Sequence, residues 1–152
     1  MIYKTICIFL FSILTVLFLL SASNAQDLVK VKEVTDGDTL LLTNGEYVCL
    51  IGLNTPETKH PQKPVERFVK EAYLFTKQMV EGKEVRLEYD QTRKDRHGRI
   101  LAYVYLLDGT FFNAEIIKQG YGFAYTKYPF KYMEEFRQYE REAKEKRRGL
   151  WK

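Results

Sequence analysis

The stretch LVKVKEVTDGDTLLLTNGEYVCLIGL, residues 28–53, decides the fold. Residues 28–34 and 39–43 are short runs rich in β-branched and aliphatic side chains, parted by Thr35-Asp36-Gly37-Asp38. A third run, 46–53, follows Asn44-Gly45. An Asn-Gly pair between apolar runs is the strongest short-range hairpin signal, because the favoured tight turn needs positive φ at its centre. Three strands in succession predict a meander.

Outward from this stretch the period changes. Over 61–81, Val65, Phe68, Val69, Ala72, Phe75, Met79 and Val80 recur every three or four residues, which predicts a helix stopped by Gly82. Strand texture returns at 84–89 and 100–107, followed by the turn pair Asp108-Gly109. Residues 112–119 predict a short helix closed by Gly120, and 131–148 a long polar one ending at Gly149, with Met133, Phe136, Tyr139 and Ala143 on its buried edge. The loop 121–132 is aromatic, basic and the least regular segment. The order of elements predicts an α+β chain: a small closed β-barrel of five strands, which is the size of an OB-fold, with three helices.

Composition sets bounds around that reading. A chain of 152 residues is one domain, and 45% hydrophobic with 29% charged residues excludes a disordered or fibrous chain. Aromatics stand high at 14%, and a net charge of +4 with a pI near 8.9 permits a polyanionic partner without requiring one. Two cysteines exclude a disulfide-stapled mini-domain and a multi-cysteine zinc site.

Residues 1–25 are a different kind of text, with Lys4 as the one charge, an apolar run from Ile6 to Leu20, and the small residues Ser23-Asn24-Ala25 before Gln26. This is the pattern of an export signal cleaved after Ala25. The rival is an uncleaved anchor, for which the run falls slightly short of the ~20 apolar residues of a spanning helix. The expected division is a signal at 1–25 and a single domain at 26–152, secreted or held at the cell envelope. Cleavage removes Cys7 and leaves Cys49 alone, so core packing rather than a disulfide must stabilise the exported domain.

Three fragments could carry chemistry. Asp36-Gly37-Asp38-Thr39 sets two carboxylates around a glycine, an arrangement able to hold a hard cation or serving simply as a turn. Asn54-Thr55-Pro56-Glu57-Thr58-Lys59-His60-Pro61 places a carboxylate in a proline-stiffened loop, where it acts as a general base or stands free in water. Residues 90–99, DQTRKDRHGR, form a basic hairpin connection that suits phosphates and equally a solvated loop. The two histidines do not make a metal site.

Taken together and in order, DGDT, NTPETKHP, DRHGR-LAYVY and NAEIIKQG resemble the staphylococcal nuclease, or thermonuclease-like, family, from about residue 29 to residue 151. The resemblance implies an OB barrel with three helices and Ca²⁺-dependent hydrolysis of DNA and RNA phosphodiesters. By position it implies Asp38 and Asn54 as side-chain ligands of Ca²⁺, Thr55 as a backbone ligand, Glu57 as the base that activates water, and Arg99 as the phosphate clamp. It implies nucleic-acid contacts from Arg96 and Lys94 to the backbone and from Tyr125 to a base. The sequence departs from the family pattern twice: Cys49 stands where the family has a catalytic Arg, and Asn54 where it has an Asp. A thiol neither forks two hydrogen bonds to a phosphate nor holds a permanent charge. It also reads as a small hydrophobe on a barrel strand, or as a reactive thiol near a basic site.

The expected function is an exported calcium-dependent nuclease of reduced rate, monomeric, with no obligate protein partner, and bound to membrane only if 1–25 stays uncleaved. Against it stand an OB module that binds single strands without cutting them, and an envelope-tethered interaction domain.

Overall fold

The structure, a computed structural model, describes residues 28–56 and 66–152. The expected signal at 1–25, the start of the helix predicted over 61–81, and Glu57 with the rest of its predicted loop lie outside the described residues. The elements are β1 (Leu28–Asp36), β2 (Thr39–Leu42), β3 (Tyr47–Leu50), β4 (Leu53–Asn54), α1 (Glu66–Val80), β5 (Glu84–Glu88), β6 (Ile100–Leu106), α2 (Phe112–Lys118), β7 (Phe123–Ala124), α3 (Met133–Glu145) and a closing 3₁₀ turn (Gly149–Trp151). The barrel closes in the order β1-β2-β3-β6-β5. Its pairings are antiparallel except β3 with β6, which run parallel. Among the described residues no helix is long and apolar enough to cross a membrane.

Strand alternation builds the core. Val31, Val34, Leu40, Leu42, Val48, Leu50, Val85, Leu87, Ala102 and Val104 all point inward and are buried. Each fully buried aliphatic side chain is worth about 1.5–3 kcal/mol, and Cys49, the cysteine among the described residues, is a free thiol. Helix α1 lays Val69, Ala72, Thr76 and Val80 inward, and Glu81 accepts the Val34 N–H at 3.0 Å, stitching the helix end to β1.

The predicted third strand, 46–53, is in fact two. Ile51 and Gly52 form a turn between β3 and β4, with Gly52 at φ +81°. A Cβ on Gly52 would come within 2.4 Å of the Phe130 ring, so only glycine admits that ring. The break is held by Asn113, fully buried, whose Oδ1 accepts the Val104 N–H while its Nδ2 donates to the carbonyls of Ile51 and Ala102.

The loop after α2 is more ordered than its composition suggests. β7 pairs with β4 through Leu53↔Ala124 and Asn54↔Phe123, and Tyr125 N–H donates to the Gly52 carbonyl at 2.9 Å. Farther on, Asp90 accepts from the Tyr103 hydroxyl and the Lys131 N–H, and Glu88 pairs with the Lys131 ammonium at 2.7 Å. Much of the aromatic content goes here, since Tyr103, Phe111, Tyr132 and Phe136 pack ring to ring beneath α3. Gly120 and Gly149, both predicted as helix stops, also meet backbone to backbone: a Cβ on either would lie within 2.3 Å of the other segment's carbonyl oxygen.

Candidate active site

The acidic turn between β1 and β2 is fixed from three sides. Thr76 of α1 donates its hydroxyl to the Gly37 carbonyl at 2.7 Å, in the buried interior. The Leu50 N–H of β3 donates to the Asp38 carbonyl, and Thr39 Oγ1 donates to Asp38 Oδ1 at 3.0 Å. The other carboxylate oxygen, Oδ2, accepts the Thr55 N–H at 3.4 Å, joining the turn to the loop after β4. Gly37 is not needed for turn flexibility, since its φ is not positive; a Cβ there would lie 2.6 Å from Thr55 Oγ1. The glycine is what lets Thr55 close on Asp38.

The oxygen donors on the segments joined here are the Asp38 carboxylate and Thr55, with Asn54 preceding Thr55 at the end of β4. Thr55 is 1% exposed, and its Oγ1 has no hydrogen-bond partner among the described residues. In kind these oxygens fit a hard cation, which takes six to eight of them. Their fixed charge is low, because among the described residues no three His, Cys, Asp or Glu side chains converge on one point.

Opposite lies the basic loop. Arg99 Nε donates to Asp95 Oδ2 at 2.7 Å, and Asp95 Oδ1 accepts the backbone N–H groups of His97 and Arg99. Burial pushes the Asp95 pKa up, but the Arg99 side chain and those two N–H groups outweigh it and hold the carboxyl below its ordinary value. For Arg99, burial works against the charge, while Asp95 and the field of Asp38 keep it above its ordinary value. The guanidinium is therefore oriented, permanently charged and within the field of Asp38.

Cys49 sits where these fields overlap. It points outward from β3 and is half-buried. Burial first, then the charge of Asp38, pushes its thiol up to about 11, with Arg99 pulling the other way. A thiol held that high stays protonated near neutral pH.

The structure thus brings Asp38, Asn54, Thr55 and Arg99 to one side of the barrel. Tyr125, 40% exposed, follows β7 and lies opposite Gly52, where its N–H donates to the Gly52 carbonyl. Arg96 stands at the exposed loop tip, donating to His97 Nε2 at 3.1 Å, and Lys94 is drawn to Glu46 at 3.2 Å. The Asp95 clamp went unread in the sequence; its signal was an acid four residues before the arginine, across a glycine turn.

A closed five-stranded barrel in this strand order, with helices packed around it, is the architecture of an OB-fold, and it carries an acidic turn and a carboxylate-clamped arginine on one side. A profile described as staphylococcal nuclease homologue matches residues 47–152. The chain is 40% identical over 136 residues to the thermonuclease of Staphylococcus hyicus, covering 87% of this chain and 79% of that protein. It is 42% identical over 125 residues to the thermonuclease of Staphylococcus intermedius, covering 80% and 74%. A prophage-derived endonuclease of Bacillus subtilis, YokF, is 35% identical over 129 residues, covering 81% of this chain but 43% of that protein. The chain belongs to the staphylococcal nuclease homologue family, and with it to the nuclease class of hydrolases.

Proposed function

We propose that this chain is an exported, calcium-dependent nuclease that hydrolyses DNA and RNA phosphodiesters, slowed by the neutral side chains at Cys49 and Asn54. The observation that carries the reading is geometric: Asp38, bonded to Thr55, and Arg99, clamped by Asp95, precede β2 and β6, the two strands that flank Cys49 of β3. A phosphodiester transition state gathers negative charge on its equatorial oxygens, and an oriented guanidinium is a strong stabiliser of it. Arg99 supplies that fork. Asp38, Asn54 and Thr55 would hold Ca²⁺, which when bound adds positive charge against the phosphate and orients water. Glu57, two residues beyond Thr55, takes the proton of the attacking water. Tyr125 stacks on a base and Arg96 meets the backbone. The apolar segment before Ala25 supports export.

Asp95 acts through Arg99. Asp95→Ala lowers kcat by about 10- to 100-fold with KM little changed, because a misaimed fork weakens the transition state more than substrate binding. Steady-state kinetics check this, and an unchanged kcat removes Asp95 from the account.

The metal reading is tested by titrating hydrolysis of single-stranded DNA with Ca²⁺. Asn54→Asp adds a carboxylate to a donor set short of charge, and should lower the Ca²⁺ concentration for half-maximal rate by about tenfold. No shift would remove Asn54 from the ligand set. A second reading, a binding module without turnover, draws on the same two neutral residues. It predicts salt-sensitive oligonucleotide binding with no product at any Ca²⁺ level.

A further inference from the structure

Tyr47 is 45% exposed, and no ring, hydrogen-bond or ion partner holds it among the described residues. Most of the other aromatic side chains among the described residues are locked in ring contacts or in the core. On β3, Val48 and Leu50 point inward, so Tyr47 and Cys49 share the outer face, about 7 Å apart along the strand. Tyr47 therefore stands on the face of the active site, one step beyond the point where the Asp38 and Arg99 fields meet.

Its surroundings are apolar beneath and basic at the side. Tyr47 pairs with Leu41 of β2, and Cys49 with Leu101 of β6, both half-buried on the same outer surface. The Lys94–Glu46 ion pair ties the basic loop to the residue next to Tyr47. The Leu101 N–H donates to the Arg93 carbonyl at 2.8 Å, which fixes Arg93 beside the strip. Its exposed guanidinium lies 4.3 Å over the Tyr89 ring and forms no ion pair among the described residues.

We infer that Tyr47 and Arg93 form an additional nucleotide position for single-stranded substrate, Tyr47 as the stacking platform for a base and Arg93 as the contact to a phosphate. The inference rests on the proposed nuclease reading and extends that site along β3. A single strand fits because its bases are free to lie on an exposed ring while its backbone tracks basic side chains. Duplex bases are stacked on one another and cannot reach the ring.

The test compares the full domain with Tyr47→Ala on two substrates, an oligodeoxynucleotide of about ten nucleotides, within the span such barrels cover, and a dinucleotide too short to reach Tyr47. Tyr47→Ala should raise KM for the longer substrate about 5- to 100-fold. Both kinetic constants for the dinucleotide should stay as they were, and Tyr47→Trp should restore the longer substrate. Equal changes on both substrates, or none on the longer, overturn the assignment. Affinity for the same oligonucleotide by fluorescence anisotropy decides independently of turnover. A fall of the same size supports the platform even if no product forms, in which case only the nuclease reading fails. An unchanged affinity overturns the platform. Arg93→Ala should reduce the slope of log affinity against log salt by about one, and an unaltered slope removes Arg93.

Discussion

Cys49→Arg raises kcat/KM on single-stranded DNA by about 10²–10³-fold, the usual worth of one oriented stabiliser of developing charge. The position is suited to it. Residue 49 faces outward from β3 between Asp38 and Arg99, half-buried and with a route to solvent. The native thiol, pushed up to about 11 by burial and then by Asp38, contributes no charge at neutral pH. An arginine there would draw on the Asp38 field and set a second fork beside that of Arg99. Steady-state kinetics of the two proteins are the check. A measurable rate left unchanged would mean that residue 49 does not face the scissile phosphate.

Glu57→Gln should cost about 10²–10⁴-fold in kcat, the range for a general base. Glutamine keeps the size and an oxygen but cannot take the proton. The position follows Thr55-Pro56, and Thr55 is held to Asp38 through its N–H, so the chain leaves the acidic turn with little freedom just before residue 57. KM should move far less than kcat. A loss confined to KM would make Glu57 a binding residue instead.

The barrel was legible because it is built from local signals. The Asn44-Gly45 turn and the alternation through Val48 and Leu50 suffice for the meander, and the spacing of Val69, Ala72 and Val80 for α1. What was hidden is non-local. The β4–β7 pair is two residues long on each side, too short for any period to register. The splitting of the third strand at Gly52 is explained by Phe130, far along the chain, and the meeting of Gly120 with Gly149 by a backbone contact that no pattern announces. Gly37 looked like turn chemistry and is a packing requirement of Thr55.

At the site the residue types were legible and the supports were not. Asp38, Asn54, Thr55 and Arg99 were read by their resemblance to a motif. The Asp95 clamp, the Thr76 tether on the acidic turn and the exposed face shared by Tyr47 and Cys49 needed the fold. Strand alternation alone would have put Tyr47 and Cys49 on one face, but would not have set Arg93 across β6 from them.

The most direct test of the account uses the chain from Gln26 onward with single-stranded DNA. Acid-soluble product is followed in millimolar Ca²⁺ and in chelator, with Glu57→Gln prepared identically. Product should need both Ca²⁺ and Glu57. No product, or product that persists without Glu57, would contradict the nuclease reading and leave a barrel that binds nucleic acid without cutting it.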